Sequence, residues 1–414
     1  MKWSRVLVPF FLIHVTAFAQ SLNWGPSARD WVQNFRDHPE VSNPMRDPFI
    51  AAGWGALRAH KLFHWGLEYR GRRWLENDHF DNEKGIRVLL RAQKKRAPLI
   101  VFSPGIFNST KDPMVLRAIR NFRRRGYHVV ALPNSWSPEY IKFNPRFQPG
   151  DLEAEAKVVL QVAREAKRFI GEEKVSGVHL VGESYGAGLS AIATALDAES
   201  VDPIIDGTVT LFSPPLDVLV SMKLMDDGLD KYQSLYQEHC RGRALVSMWE
   251  VMHSRSYDDL SPKTVECAAA TVAYVGFHDL LSLTARTLHK QGRVKEELGK
   301  YLTKDEIQNL RFSSFFRHFL PDCNQGILDG VGDVAKWIHR AESQGSHRIK
   351  ILTTADDFLN DSSLWSRLDD LGPERLIVLP WGGHLGYIAQ EGFQKFLDLS
   401  FGLQSDIAED ETER

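Results

Sequence analysis

Residues 178–186 read Val-His-Leu-Val-Gly-Glu-Ser-Tyr-Gly, and this stretch decides the fold. Its first part, Val178–Val181, is a short apolar run typical of a buried strand, and the segment Tyr185–Leu196 that follows has a helical pattern of small residues. A strand that turns sharply into a helix holds Ser184 in a strained conformation, with its hydroxyl above the edge of the sheet. The flanking glycines are needed because side chains there would clash with the turn or the neighbouring strand.

The alternation of strand and helix continues on both sides of this segment. The pattern predicts strands over 86–90, 98–102, 128–133 and 208–212, and helices over 114–125 and 151–170. The first two strands are separated by the basic turn Lys94-Lys95-Arg96 and are predicted to pair with each other. Such alternation indicates a parallel sheet that is covered by helices on both faces.

The alternation stops between about 218 and 340, where the pattern is helical and amphipathic with little strand signal. We interpret this stretch as a helical insertion, with helices over 244–252, 268–288 and 312–320. The α/β pattern then resumes with strands over 349–352 and 376–380 and helices over 363–371 and 390–399. The chain therefore has an α/β core in two parts, 85–217 and 341–403.

His384 has the context of a general base. It lies in Trp381-Gly382-Gly383-His384-Leu385-Gly386, directly after the predicted strand 376–380. The flanking glycines let the loop bring the imidazole close to another part of the backbone. A serine nucleophile at 184 needs such a base, and we assign that role to His384. The alternative is a histidine that only shapes its loop.

Two aspartates compete for the role of the acid that orients His384. The predicted strand 349–352 is followed by Thr353-Thr354-Ala355-Asp356-Asp357-Phe358. An acid at this strand end can reach the imidazole and fix its tautomer. Adjacent residues near an extended strand end point in opposite directions, so only one aspartate can face the histidine. We predict Asp357, with Asp356 as the alternative, and expect the other aspartate to cap the loop or the next helix.

Two backbone N–H groups near Ser184 are needed to hold a developing oxyanion. The residue after the serine, Tyr185, supplies one of them. We predict that Ile106 supplies the other, from the loop after strand 98–102, where Gly105 lets the backbone bend inwards. The alternative is an ordinary Pro104-Gly105 turn.

A second glycine pattern, Gly186-Ala187-Gly188-Leu189-Ser190-Ala191, fits a dinucleotide fingerprint. In a dinucleotide-binding fold the first glycine follows the strand directly and an acid closes the next strand. Here the glycines lie inside the helix, and the next strand ends in Leu211-Phe212-Ser213. We therefore interpret Gly186 and Gly188 as sites of close helix–sheet packing. No organic cofactor or metal is implied by the sequence.

The oxyanion loop, Ser184, Asp357 and His384 follow one another along the chain, each directly after a predicted strand. Over about residues 85–400 the chain therefore resembles the α/β-hydrolase superfamily, whose triad has this order. The resemblance implies a mostly parallel eight-stranded sheet flanked by helices, with a helical cap inserted after the sixth strand, where 218–340 lies. One departure is Pro104-Gly105, since many members have His-Gly in this loop.

Within that family, a serine nucleophile indicates acyl transfer and argues against the dehalogenases and epoxide hydrolases, which use an aspartate. We predict a carboxylic-ester hydrolase whose substrate is a small-molecule or lipid-like ester. A peptidase, amidase or thioesterase of the same fold is the alternative. A non-catalytic binding protein is an alternative of another class. The methionines and aromatic residues of 218–340 either line an acyl pocket or form the core of the insertion itself.

The two ends of the chain have the patterns of a signal and a tail. Residues 1–19 combine Lys2 and Arg5 with a short apolar run and Ala17-Phe18-Ala19, the layout of a secretory signal cleaved after Ala19. A membrane anchor is the alternative, but the run is shorter than the ~20 residues that cross a bilayer. We expect export to a periplasm or the cell exterior. Residues 20–84 are predicted as an N-terminal extension and 404–414 as an acidic, disordered tail.

Composition limits the partners and the redox chemistry. The chain has 414 residues, with 51 Lys and Arg against 53 Asp and Glu, and the net charge of -2 excludes binding to nucleic acid by charge alone. Contact with a membrane surface stays open. Cys240, Cys267 and Cys323 allow one disulfide and one thiol in an oxidising compartment, or three buried thiols, and the sequence does not choose the pair.

Overall fold

Strands and helices alternate as the sequence predicts through most of the core. The structure, a computed structural model, describes residues 47–61, 72–75, 85–143, 149–254, 257–290, 309–345, 348–372, 375–389, 393, 396–397 and 401. Its strands are β1 (Arg72–Leu75), β2 (Ile86–Arg91), β3 (Ala97–Ser103), β4 (His128–Ala131), β5 (Val175–Glu183), β6 (Val209–Phe212), β7 (Ile349–Thr354) and β8 (Leu376–Leu379).

Along the chain, the α-helices of the described residues fall into three groups. One helix precedes β1, four lie between β3 and β6, and the remainder lie between β6 and β7. They are α1 (Pro48–Lys61), α2 (Pro113–Arg124), α3 (Pro138–Phe143), α4 (Leu152–Ile170), α5 (Tyr185–Ala198), α6 (Val218–Leu235), α7 (Ala244–His253), α8 (Pro262–Ala273), α9 (Leu280–Lys290), α10 (Phe312–Phe319), α11 (Pro321–Gly326) and α12 (Val334–Ser343). Shorter 3₁₀ segments include Arg241–Arg243, Ser362–Leu371 and Gly386–Ala389.

The eight strands form one sheet in the order β1-β2-β4-β3-β5-β6-β7-β8. β2 runs antiparallel to both of its neighbours, and the pairs from β4 to β8 are all parallel. Helices pack on both faces of the sheet. On one face α5 contacts both α4 and α12, and on the other face α2 packs beside β4. The mostly parallel sheet flanked by helices is therefore confirmed.

The predicted pairing of the first two strands is wrong, because β4 lies between them. Val130 is opposite Leu90 of β2 on one side and opposite Val101 of β3 on the other. All four residues of β4 are buried, and an interior position in the sheet buries such an apolar run more completely than an edge does. The sheet also begins before residue 85, since β1 pairs with β2.

Between β6 and β7 the described residues form helices and connecting turns. α12 packs against α5 in the helical layer of the core, although it overlaps the predicted stretch 218–340. One continuous helix, Pro262–Lys290, joins α8 to α9 and is long and apolar enough to cross a membrane by length and composition alone. Of its most apolar window 67% is buried inside the protein, and core helices of globular proteins pass the same test.

Several predictions fall on residues that the structure does not describe. These are the signal peptide at 1–19, the acidic tail at 404–414 and most of the helix at 390–399. For the N-terminal extension, α1 and β1 are the parts within the described residues.

Candidate active site

Ser184 lies in the sharp turn between β5 and α5. Its backbone has φ 54° and ψ −125°, a conformation that residues other than glycine rarely adopt. A Cβ at Gly186 would lie 2.2 Å from the carbonyl oxygen of Ser103, and one at Gly182 would lie 2.5 Å from the Cα of Ala187. Both glycines are therefore needed for the close packing of helix on strand, as the sequence predicts.

His384 lies on the loop after β8, where Gly382 and Gly383 have φ values of 140° and 58°. Its Nε2 is 2.8 Å from the Oγ of Ser184, and its Nδ1 is 3.0 Å from Oδ1 of Asp357. An ionised carboxylate only accepts hydrogen bonds, so Nδ1 carries the proton and Nε2 accepts from the serine hydroxyl. This tautomer is the one that a general base requires.

The two aspartates after β7 contact different parts of the histidine loop. Asp357 is buried and holds the imidazole through both oxygens, at 3.0 and 3.1 Å from Nδ1, while its Oδ1 also accepts from the N–H of Leu359. Asp356 accepts from the backbone N–H groups of Gly382 and Gly383 at 3.2 and 2.9 Å. Burial raises the pKa of Asp356, and the two N–H bonds oppose that rise.

The loop after β3 lies directly against Ser184. A Cβ at Gly105 would be 3.3 Å from the Cβ of Ser184, and Phe107 has φ 67°. Asn134 fixes both ends of this loop, because its N–H donates to the carbonyl of Asn108 at 2.8 Å and its side chain donates to the carbonyl of Pro104 at 3.3 Å. Ile106 and Tyr185, the predicted oxyanion donors, belong to the two segments that meet here.

A glutamate that the sequence did not single out lies behind this loop. Oε1 of Glu155, on α4, accepts from the N–H of Gly150 at 2.6 Å and from the Tyr185 hydroxyl at 3.1 Å. Complete burial raises the pKa of Glu155 to about 8, against the lowering effect of these hydrogen bonds. Glu155 also lines a small cavity with Ser103 and Pro104. No motif marks this residue, since nothing local distinguishes it from the other acids of α4.

Glu183, directly before Ser184, faces the opposite side of the sheet. It lines a cavity with Arg117 of α2. Burial raises the pKa of Glu183 to about 8, and the positive charge of Arg117 opposes the rise. Burial also disfavours the charged form of Arg117, and it therefore lowers the pKa of that guanidinium. The turn that holds Ser184 thus has a buried carboxyl group on each side of it.

Helix α1, from the N-terminal extension, packs on the loop that carries His384. A Cβ at Gly383 would lie 2.1 Å from the carbonyl oxygen of Pro48. The ring of Phe49 stacks on that of Phe358, with centroids 4.6 Å apart, and Phe358 lies 5.5 Å from the imidazole of His384. The only sequence signal of this contact was the glycine content of the histidine loop, which indicates close approach without naming the partner.

Aromatic side chains from the insertion contact the core beside the serine. Phe312 of α10 lies 6.2 Å from Phe107 in the loop after β3, measured between ring centroids, and Phe315 lies 5.7 Å from Trp136. Trp136 in turn lies 6.4 Å from Tyr185. These insertion residues therefore pack on the core near Ser184, in addition to packing among themselves.

In the described part of the chain, no group of three or more His, Cys, Asp or Glu side chains could hold a metal ion. The polar side chains joined to Ser184 by hydrogen bonds are those of His384 and, through His384, Asp357. The serine turn follows β5, the acid follows β7 and the histidine follows β8, all on one mostly parallel sheet.

The chain has the α/β-hydrolase fold. No protein-family model and no curated protein matches its sequence. Among solved structures it is similar to an esterase of Pyrobaculum calidifontis, with 12% identity, 96% of each chain covered and a TM-score of 0.43. It is also similar to EstE1, a carboxylesterase cloned from a metagenomic library, with 13% identity, 86% of this chain and 95% of that chain covered, and a TM-score of 0.43.

A third similar structure is the esterase Pf2001 of Pyrococcus furiosus, with 12% identity, 80% of this chain and 91% of that chain covered, and a TM-score of 0.41. The fold assignment rests on the strand order, the strand directions and the serine turn.

Proposed function

We propose that the protein is a serine hydrolase that cleaves carboxylic esters through an acyl-enzyme on Ser184. The observation that carries this proposal is the continuous hydrogen-bonded chain of serine hydroxyl, imidazole and carboxylate, with 2.8 Å between Ser184 Oγ and His384 Nε2. The buried Asp357 and the strained serine turn are the further features that such a nucleophile needs.

The chemistry follows from the hydrogen bonds of the three side chains. His384 Nε2 takes the hydroxyl proton of Ser184 while Ser184 Oγ bonds to the ester carbonyl carbon. His384 then returns that proton to the departing alcohol. Asp357 keeps the other ring nitrogen protonated and stabilises the imidazolium that forms. Water then attacks the acyl-enzyme, again with His384 as base, and releases the carboxylic acid.

Charge that develops on the carbonyl oxygen is held by backbone N–H groups in this proposal. Tyr185 lies at the first position of α5, where a helix favours negative charge, and Ile106 follows the glycine that lies against Ser184. One such donor is commonly worth ~3 kcal/mol of activation free energy. Asn134 supports this arrangement because it fixes the loop at Pro104 and Asn108.

The surroundings of Ser184 favour an apolar ester. Phe358 lies beside His384, and Phe107 lies in the oxyanion loop, packed on Phe312 of the insertion. Apolar side chains next to the reacting groups favour a hydrocarbon acyl or alcohol group, which loses little hydration on binding. We therefore place small-molecule or lipid-like esters first among substrates, ahead of peptides.

We also propose export to a periplasm or the cell exterior, by the signal pattern of residues 1–19. The disulfide between Cys240 and Cys267 supports this location, because such bonds persist in oxidising compartments. Cys323 is a thiol whose pKa burial raises to about 12, which keeps it in its unreactive form. Fractionation of cells, with sequencing of the mature N terminus, tests the proposal: we expect Gln20 as the first residue.

The reaction is tested with p-nitrophenyl esters of increasing acyl length, comparing the mature protein with Ser184→Ala. We expect hydrolysis by the parent and a loss of about 10³-fold or more in the variant. Faster cleavage of aminoacyl amides or of thioesters than of any ester would move the function to those substrates. Inertness of both proteins toward all three classes would leave a binding protein, and equal ester hydrolysis by both would exclude Ser184 as the nucleophile.

A further inference from the structure

Helix α7 leaves an apolar face uncovered at the outside of the insertion. Leu245, Val246 and Trp249 are 88%, 49% and 59% exposed. They are spaced at i, i+1 and i+4, so they share one side of the helix, while Ser247 and Val251 on the other side are buried. Isolated exposed apolar residues are common on protein surfaces, but three such large residues on one helix face mark an interaction site.

This face is held in place by contacts on its inner side. The Cys240–Cys267 disulfide joins the segment before α7 to α8. Met248 of α7 packs toward α1, where its Cε would lie 3.1 Å from a Cβ at Gly53. The exposed ring of Trp249 packs against His253, with centroids 4.4 Å apart. The exposed apolar side chains are therefore presented by a fixed helix, and α1 beneath it is the helix that contacts the loop of His384.

The charges at the start of α7 are predominantly positive. Arg241 and Arg243 form the turn directly before the helix. Both acids of the segment 236–253 have partners. Glu250 accepts a hydrogen bond from the hydroxyl of Thr264, and Glu238 lies 3.7 Å from His239. An apolar helix face that contains tryptophan and leucine and is bordered by arginines is typical of helices that lie on anionic lipid surfaces.

We propose that Leu245, Val246 and Trp249, the docking face, bind the protein to an anionic lipid surface. The apolar side chains enter the boundary between headgroups and acyl chains, and Arg241 and Arg243 contact the anionic headgroups. This inference rests on the proposed function and deepens it, because it makes esters within a lipid surface the substrate class. The docking face then holds the enzyme at the interface where such esters are found.

The test is co-sedimentation with vesicles, using full-length mature protein that carries Ser184→Ala so that no lipid is hydrolysed. Vesicles of phosphatidylglycerol mixed with phosphatidylcholine are compared with vesicles of phosphatidylcholine alone. We expect binding to the anionic vesicles that weakens with added salt, and a loss of at least about tenfold in affinity for Leu245→Glu/Trp249→Glu. Leu328→Glu, which replaces another exposed leucine with 55% exposure, is the matched control and is expected to bind as the parent does.

Absence of vesicle binding by the parent overturns the proposal, as do equal binding to both kinds of vesicle and equal losses in the two variants. A parent dimer that Leu245→Glu/Trp249→Glu converts to monomers, without vesicle binding, assigns the face to a second copy of the chain instead. Hydrolysis of a water-soluble short-chain ester is measured separately on active protein with the same substitutions, and is expected to be unchanged. The outcome for the docking face is therefore independent of the outcome for Ser184.

Discussion

At the residue scale, Asp356 and Asp357 divide the support of His384 between them. One carboxylate bonds the imidazole and the other bonds the backbone of the loop that carries it. The division follows from the alternation of side chains at the end of β7, since neighbouring residues cannot face the same group. Because strand ends in a parallel sheet converge at one edge, the sequence placed both aspartates near the histidine, but it left Asp356 open as the alternative to Asp357.

This division predicts unequal losses from two conservative substitutions. We expect Asp357→Asn to lower kcat by about 10⁴-fold, because the amide no longer fixes the required tautomer. Asp356→Asn should cost much less, because an amide oxygen can still accept from Gly382 or Gly383. Steady-state kinetics on one p-nitrophenyl ester compares the pair. A larger loss in Asp356→Asn would reverse the two assignments.

The glycines after Ser184 provide a second matched pair. A Cβ at Gly186 would lie 2.2 Å from the backbone oxygen of Ser103. A Cβ at Gly188 would meet only the side chains of Val334 and Pro215, the nearest atom at 3.4 Å, so the predicted close helix–sheet packing is wrong for Gly188. We expect Gly186→Ala to destabilise the fold by about 1–3 kcal/mol or more through overpacking, and Gly188→Ala to be tolerated. Urea unfolding of both variants measures this difference. Equal midpoints would show that α5 is not packed on the sheet as closely as described.

Glu155 marks the limit of residue-level prediction. The serine turn, the histidine and the two aspartates each follow a strand and carry a local signal, so the sequence predicts that they lie close together. Glu155 is brought to Tyr185 by the packing of α4 on α5, and neither helix contains a pattern that reveals this contact. A residue whose role depends on long-range packing has no local signature.

At the element scale, α1 is the part of the molecule whose position is least expected. It comes from a segment without steady periodicity, yet it contacts the histidine loop, α8 and α7. The order of the strands in the sheet was also not predicted. Periodicity identifies strands but carries no information on neighbours, so the placement of β4 between β2 and β3 and the addition of β1 required the three-dimensional structure.

The position of α1 predicts that an aromatic residue far from Ser184 in sequence supports catalysis. We expect Phe49→Leu to lower kcat by about 10–100-fold with little change in KM, because losing the stack on Phe358 lets the imidazole move out of line. Phe169→Leu, at a phenylalanine with 55% exposure on α4, is the control and should leave kcat unchanged. An unchanged kcat in Phe49→Leu would remove α1 from the support of His384.

At the scale of the whole molecule, the two buried glutamates predict how stability depends on pH. The pKa values of Glu155 and Glu183 are raised from 4.5 to about 8 in the folded state. The folded protein therefore binds more protons than the unfolded chain between these values, and the free energy of unfolding should fall as pH rises through this window. Below about pH 4.5 both states hold these protons, and the two groups add no further pH dependence.

Urea unfolding at pH 5 and pH 8 checks this slope. Glu155→Gln and Glu183→Gln keep the neutral shape of the side chain, so each should reduce the difference in unfolding free energy between the two pH values. Glu172→Gln, at an exposed residue, should leave it unchanged. The same pH difference in all three variants and the parent would mean that neither buried glutamate is protonated in the folded protein.

The disulfide predicts sensitivity of the whole fold to reducing agents. The bond closes a loop of 27 residues, for which the chain-entropy model gives ~3–4 kcal/mol of stabilisation. We expect Cys240→Ser/Cys267→Ser to lose about this much free energy of unfolding and to become insensitive to dithiothreitol. Cys323→Ser should retain the sensitivity of the parent. A parent protein whose unfolding is the same with and without reductant would show that the bond does not form.

The central claim is that Ser184 is the activated nucleophile of an esterase, and labelling with a fluorophosphonate tests it most directly. The parent, Ser184→Ala and His384→Ala are incubated with the probe, digested and analysed by mass spectrometry. We expect one adduct, on the peptide that contains Ser184, with none in Ser184→Ala and much slower labelling in His384→Ala. An adduct on a different serine, or no adduct in the folded parent, would contradict the account.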